Sequence, residues 1–289
     1  VSFSRPTSSL QWGIPVPGDP GQTMYVWCDA LTNYISGLGY FTDHEERDYW
    51  DKAEVTHVIG KDIARFHALI WPAMLKHAGV RTPDRLLIHG FLTSDGQKMS
   101  KSIGNVVEPE KVLDRFNGNP DPLRFYLTAI APESQRTAFN PADFIARNNT
   151  ELLNTLGNFI HRTLTFAHRY HEGRVPEPGA RQAIDQEQIA AIAAHIARVS
   201  ENLEAYRFRN GLSELMSLAR LANGYFDAKQ PWKQRKQDPA GCGTTINVCL
   251  QTVKALATLM APYLPSSAER CAKMLTLEDQ ELSFSGPAR

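Results

Sequence analysis

Surplus charge of either sign is missing from this sequence: Lys+Arg and Asp+Glu number 31 each, for a formal net charge of zero. That excludes chain-wide electrostatic attraction to nucleic acid, so any phosphate contact has to come from a local basic patch. Cysteine is also scarce. Cys28, Cys242, Cys249 and Cys271 show neither CxxC spacing nor His-rich surroundings, which argues against a zinc knuckle or other metal site and against a disulfide framework, and fits a reducing compartment such as the cytoplasm. No apolar run reaches the roughly 18 residues of a membrane-spanning helix, and none of the residues read as a secretory signal, so no membrane partner is expected. There is no internal repeat and no low-complexity tract. With 42% hydrophobic and 21% charged residues in 289, what remains is a globular chain long enough for two cores.

The organisation changes near residue 143. Before it, short apolar runs alternate with one helical pattern. Met24-Tyr25-Val26-Trp27 reads as a strand, as do residues 54–59 closing on Gly60, and Leu86-Leu87-Ile88 closing on Gly90. Phe66, Leu69, Ile70, Ala73 and Met74 recur at helical spacing between the second and third of these. Strand, turn, helix and strand in this order predict a βαβ unit with a parallel sheet, whose ligands sit at the carboxyl ends of its strands. After residue 143 the period is helical, with apolar stripes from Phe144 to Ile160, Ile189 to Leu203, Leu212 to Ala219 and Val248 to Met260. Pro176, Pro178, Pro231 and the Pro239–Gly243 stretch interrupt them, which predicts a bundle of four or five helices. The expected fold class is therefore α/β followed by all-α. Expected divisions are 1–115 as the second half of a Rossmann-type domain, 116–142 as a connecting segment and 143–289 as the helical domain.

Asp95 through Asn105 places two lysines, two serines and two glycines in one loop after a strand. Glycines let such a loop move, hydroxyls donate to phosphate oxygens, and ammonium groups neutralise charge that grows on a leaving pyrophosphate. A solvated turn has the same composition. The string Lys98-Met99-Ser100-Lys101-Ser102, however, resembles the lysine signature of the class I aminoacyl-tRNA synthetases. Two further strings resemble their methionyl branch: Trp12-Gly13-Ile14-Pro15-Val16-Pro17 and Tyr25 through Tyr34. So does Gly60-Lys61-Asp62-Ile63-Ala64-Arg65-Phe66-His67 with Ile70-Trp71-Pro72-Ala73.

Read on their own residues, these segments allow a pocket without requiring one. Asp62 at a strand end can accept from ribose hydroxyls, and the helix start beyond it favours phosphate. His67 lies one turn on from Ile63, but a histidine on an apolar helix face is as readily a core residue. The resemblance goes further. It implies ATP, with Mg2+, as the cofactor set; Lys101 with Lys98 as the catalytic cations; and Gly60, Asp62, Lys98, Met99, Ser100, Lys101 and Ser102 as the ATP site. It also implies Trp27, Ala30, Tyr34, Ile63 and His67 as the methionine site, and aromatic walls suit an unbranched thioether.

The helical half carries a third likeness. Asn149 through Arg162 resembles the first helix of the branch's anticodon-binding bundle. Asn158 and Arg162, four apart, share a face and can read base edges of an unstacked loop. Pro231-Trp232 resembles the position at which a tryptophan stacks an anticodon base, here among Lys229, Lys233, Arg235 and Lys236. An ordinary polar face and a core tryptophan are the plain alternatives. The partners so implied are methionine and its tRNA.

One element of the class is not found. No His-x-Gly-His sequence occurs; His57-Val58-Ile59-Gly60 and Ile88-His89-Gly90 lack its second histidine. The chain also opens at Val1 on a Pro-rich connector. The expectation is that an N-terminal half of the same enzyme precedes Val1, and that this chain alone does not activate methionine. Synthetases for isoleucine, valine, leucine or cysteine share the lysine loop, and a non-catalytic tRNA-binding module is the alternative of another class.

Overall fold

Proline and glycine keep the opening segment extended. In the computed structural model, which describes residues 3–43 and 45–277, β1 (Ser4–Pro6), β2 (Pro15–Val16) and β3 (Asp19–Met24) pair antiparallel in the order β1-β3-β2. The expected strand through Trp27 stops at Met24: residues Val26–Ala30 form helix α1, followed by α2 (Asn33–Ser36). A four-residue apolar run has no period of its own, so its state is decided by packing, here of Trp27 and Leu31 into the neighbouring core.

After α3 (Asp48–Asp51), β4 (Thr56–Gly60) pairs parallel with β5 (Arg85–His89), register Thr56↔Arg85 to Gly60↔His89. Their crossover is the expected helix, π-wound over Phe66–Ile70 and regular in α4 (Trp71–His77). Pro72 stands at the α4 start, where its ring and missing N–H would disrupt a regular i→i−4 ladder; the wider π turn before it accommodates both. Leu31, Ile35, Trp50, Trp71, Leu75 and Val80 are the buried core of this unit, which comprises residues 1–91 with 133–135.

The second unit, residues 92–132 with 136–289, begins with a hairpin. β6 (Leu92–Ser94) and β7 (Gln97–Lys98) are antiparallel, and β6 also pairs parallel with β8 (Thr137–Phe139). α5 (Pro109–Asp114) and α6 (Asp121–Ala129) lie between them in sequence. Then α7 (Pro141–Arg147), a π-helical stretch (Asn148–Gly157) and α8 (Asn158–Tyr170) run on as one helix. α9 (Ala183–Glu204), α10 (Phe208–Lys229), α11 (Pro231–Gln237), α12 (Pro239–Met260) and α13 (Pro265–Met274) complete the bundle. The α/β-then-helical order matches the expected fold class.

Pro231 and Pro239 interrupt the helical runs as expected, each at the first-turn position of the helix that follows, where no N–H is needed. Gly241 and Gly243 lie inside α12 rather than in a break. A side chain at Gly241 would collide with the capping Asp238 carboxylate, and Gly243 packs beneath Pro176. Most of α12 is buried, and with α10 it forms the bundle core. The segment before the bundle is tied to it by polar contacts. Arg124 donates through Nε to the Tyr263 carbonyl at 2.9 Å, and Asp121 accepts from the Ser267 amide at 2.6 Å.

Candidate functional site

The residues expected at the sites fall into three groups of side chains. The first is an aromatic cluster around the β4–α4 crossover. The Trp27 and His67 ring centroids are 6.0 Å apart, and Trp27 stacks on Phe66 at 4.8 Å. His67 is fully buried and both its ring nitrogens are engaged, Nδ1 with the Ile63 carbonyl at 3.0 Å and Nε2 with the Tyr34 hydroxyl at 2.9 Å. A carbonyl only accepts, so Nδ1 carries the proton, and in the neutral ring Nε2 accepts from Tyr34. Trp27 and Ile63 are half-buried, and Tyr34 and Ala30 are exposed, Ala30 at the end of α1.

His57, Phe66, Trp50 and Trp71 join this cluster; Phe66 and Trp71 lie in the strings quoted for their resemblance, whereas His57 and Trp50 were not read as site residues from the sequence. His57 sits 4.3 Å from the Tyr34 ring and 5.6 Å from the His67 ring, with its Nε2 buried and unpartnered among the described residues. Burial first, and then the nearby His67, lowers its pKa to about 4. The signal that could have found it was slight: a histidine at an inward position of a strand that ends in Gly60.

At that strand end Gly60 is extended, and a Cβ there would stand 2.8 Å from the Asp62 carboxylate, which would have to swing aside. Asp62 is exposed on the 3-10 turn Lys61–Ile63.

The lysine loop is the second group. Asp95 (φ 47°) and Gly96 (φ 83°) both take positive φ between the paired Ser94 and Gln97, as a two-residue hairpin turn of the primed type needs. Beyond β7, Asn105 clamps the loop: its Oδ1 accepts from the Ser100 amide at 2.8 Å and its Nδ2 donates to the Lys98 carbonyl at 3.1 Å. Met99 packs against the Leu123–Tyr126–Phe139–Phe144 core, while Lys98, Lys101 and Ser102 are exposed and the Ser100 and Ser102 hydroxyls are 2.7 Å apart. The apolar residue of the loop is anchored and its cations face solvent. Asn105 is the residue here whose part the sequence did not reveal.

The third group lies on the bundle. Asn158 is exposed and donates to Asn223 Oδ1 at 3.5 Å. One turn on, Arg162 pairs with Asp227 at 2.7 Å and lays its guanidinium over Phe226 at 4.4 Å and Trp232 at 5.8 Å. Trp232 is 42% exposed, while the preceding Pro231 is buried. Helix α11 thus presents the tryptophan face rather than plugging the core with it. Of the cations expected around it, Lys229 is elsewhere: it is buried and ion-paired with Asp185 at 2.9 Å, because its position on α10 faces α9. Arg235 lies over the Tyr170 ring at 4.2 Å.

A parallel βαβ crossover, a lysine–serine hairpin loop and a helical bundle carrying a half-buried Arg162 beside the exposed Trp232 are the features that the resemblance to class I synthetases implied. In agreement, the sequence matches the family model "tRNA synthetases class I (M)" over residues 4–164, and "Anticodon binding domain of methionyl tRNA ligase" over residues 175–286. The chain belongs to the methionyl-tRNA synthetase family.

Among similar proteins, the methionine–tRNA ligase of Brucella suis is 38% identical over 98% of this chain and 54% of that protein. That of Pyrococcus abyssi is 40% identical over 94% of this chain and 41% of that protein. A solved Mycobacterium tuberculosis methionyl-tRNA synthetase in complex with methionyl-adenylate superposes with a TM-score of 0.88 at 38% identity, covering 99% of this chain and 56% of that one. The chain therefore spans about half the length of the relatives it matches. No helix among the described residues is long and apolar enough to cross a membrane.

Proposed function

We propose that this chain supplies the lysine loop, part of the methionine and ATP pockets and the anticodon-reading bundle of an enzyme that joins methionine to its tRNA. In this reading residues 1–115 carry the catalytic elements, 116–142 connect, and 143–289 recognise the tRNA. The carboxylate of methionine attacks the α-phosphorus of ATP, releasing pyrophosphate and leaving methionyl-adenylate. The acyl group then passes to a hydroxyl of the 3′-terminal ribose, and AMP leaves.

The observation that carries the methionine assignment is the ring cluster. Trp27, Tyr34, Ala30 and Ile63 offer the accessible apolar and aromatic surface a thioether needs. His67, fully buried, acts as a positioning residue that holds Tyr34 by its hydroxyl. Asp62 and Gly60 at the β4 end suit ribose hydroxyls and a close backbone approach. Lys101 and Lys98, with the Ser100 and Ser102 hydroxyls, suit the charge that develops on departing phosphate oxygens. Mg2+ would ride on the phosphates of ATP and neutralise their charge. No general base from this chain is required, because the steps named here rest on positioning and charge. Trp232 with Arg162 suits stacking of an unpaired base, Pro231 sets the tryptophan at its helix start, and Asn158 adds an exposed amide for a base edge.

The test is methionine-dependent ATP–pyrophosphate exchange and aminoacylation in an enzyme of full family length. Lys101→Ala is expected to lower kcat for exchange about a hundredfold with little change in KM for methionine, as for loss of one charge-stabilising contact in the transition state. His67→Ala is expected to weaken methionine more than ATP. Trp232→Ala is expected to reduce aminoacylation about tenfold or more while leaving tRNA-independent exchange intact. Normal exchange in Lys101→Ala removes that lysine from the mechanism, and equal loss of methionine and ATP binding in His67→Ala reduces it to a support of the fold.

A further inference from the structure

With no net charge on the chain, the RNA backbone needs its own local seat, and the seam between α10 and the 141–170 helix provides one. On α10, Arg209, Ser213, Met216, Arg220, Asn223 and Asp227 recur at intervals of four, three, four, three and four, forming one stripe about 27 Å long at 1.5 Å per residue. On the facing helix, Arg147, Glu151, Thr155, Asn158 and Arg162 form a matching stripe. The two meet where Asn223 Nδ2 donates to the Thr155 carbonyl at 2.9 Å and, one turn further, Arg162 pairs with Asp227 at 2.7 Å.

One end of this seam is the Arg162–Trp232 platform. Toward the other it opens into a cavity of about 260 Å³ lined by Arg147, Arg209 and Arg220, with Asn210 and Ser213, and with Glu151 as the carboxylate among its described lining residues. Arg147 is braced by Asp143 at 3.0 Å and approaches Glu151 at 3.9 Å. Arg209 and Arg220 are exposed, and Arg220 also donates to the Ser217 hydroxyl at 2.9 Å. Arg147 is answered by Asp143 and Glu151, so the exposed Arg209 and Arg220, with the neighbouring amide and hydroxyl donors, present the groups that match phosphate oxygens, which arginine can hold through two parallel hydrogen bonds.

We infer that this arginine cavity seats the phosphodiester backbone of the same RNA whose bases meet Trp232. The seam then divides recognition by chemistry: phosphates are held without regard to sequence at the cavity, and bases are read at the platform. The inference rests on the anticodon reading above, because the seam's continuity with that platform selects RNA over a free phosphate compound as the occupant.

The experiment measures equilibrium binding of the 289-residue chain to two labelled transcripts, a methionine tRNA and the same tRNA with its anticodon bases exchanged, across a series of salt concentrations. Each of Arg209→Gln and Arg220→Gln is expected to lower the slope of log affinity against log salt by about 0.7–0.9, one phosphate contact each, and to do so for both transcripts. Arg209→Lys and Arg220→Lys should largely keep the slope, and melting curves should show all four variants folded. Trp232→Ala should affect the first transcript far more than the second, with the slope unchanged.

Unchanged slopes in both glutamine variants overturn the backbone seat and leave the anticodon reading standing. Equal wild-type affinity for the two transcripts, with arginine-dependent slopes, overturns the anticodon reading and keeps the seat. Inorganic phosphate competing at millimolar concentration as well as RNA does would make the cavity a small-anion site and overturn its assignment to the backbone. Binding of neither transcript at low salt overturns both.

Discussion

His67 has its two ring nitrogens occupied by groups of opposite character, an acceptor carbonyl from Ile63 and the hydroxyl of Tyr34. That pair fixes a tautomer and a ring plane, and through Tyr34 it fixes part of the accessible wall above. His57, packed against the same Tyr34, has burial but, among the described residues, no hydrogen-bond partner for its Nε2, and its pKa is lowered to about 4. The consequence for stability has a definite sign. An unfolded histidine takes up a proton near pH 6.5, whereas folded His57 refuses it until about pH 4. Its contribution is therefore fully present above pH 6.5 and is lost as pH falls from there toward 4. Burial lowers His171 and His195 in the same direction. The expected outcome is a melting temperature that declines below about pH 6.5, and a shallower decline in His57→Gln. An identical acid profile for the variant would show that His57 is not a source of the pH dependence.

Among the elements, the lysine loop shows how little regular structure is needed to aim two cations. Its hairpin is two strands of three and two residues, and its fixity comes from neighbours. Asn140 caps α7 by accepting from the Asp143 amide at 2.9 Å and donates to Asp95 at 3.0 Å in the hairpin turn. The Tyr126 hydroxyl, wholly buried, accepts from the Asn140 amide at 3.2 Å and lies 3.0 Å from the Asp143 carboxylate. One side chain thus joins a helix start to the turn that launches the loop. Asn140→Ala is expected to cost about 1 kcal/mol in urea denaturation, the usual effect of a lost N-cap. It should also speed amide exchange at the hairpin. Asn140→Asp keeps the cap but sets a second carboxylate beside Asp95, so it should recover global stability and still loosen the turn. An alanine variant as stable and as slow to exchange as the parent would rule out this linkage.

At the scale of the whole second unit, one polar contact lies deep between helices. Lys229 and Asp185, with side chains 5% and 1% exposed, pair at 2.9 Å, and Asp185 also accepts from the Tyr225 hydroxyl at 2.7 Å. Burial works to raise the Asp185 carboxyl, but Tyr225, the Gln182 amide and Lys229 together outweigh it and hold it below the usual carboxylate range. Burial, and then the bond to Asp185, pushes Tyr225 upward. Because Gln230 follows Lys229 in a left-handed turn and leads directly into Pro231-Trp232, this pair also fixes where the tryptophan emerges. Asp185→Ala strands a buried ammonium and is expected to cost about 3–5 kcal/mol, whereas replacing both partners by apolar residues should recover most of that loss. Calorimetry of the single and double variants decides it; an additive double variant would deny the coupling.

The division of labour between sequence and tertiary structure follows from range. Periodicity, turn chemistry and a contiguous signature are local, so the β4–helix–β5 order, the helical second half and the lysine loop were legible in the chain alone. Asp95-Gly96 needs only its own backbone preference to turn, and Ile189 to Leu203 needs only its spacing to be a helix. The sequence could not settle Val26–Ala30, where an apolar run too short to show a period took its state from the core it joined. Nor could it separate Lys229 from Lys233, Arg235 and Lys236, for all four stand within eight residues of Trp232 in the chain and only burial on α10 set the first apart. His57 and Asn105 became visible only when strands and loops brought them to Tyr34 and Ser100. The tri-arginine cavity is the extreme case: Arg147, Arg209 and Arg220 belong to no motif, and the pairing of two long helices alone makes them neighbours.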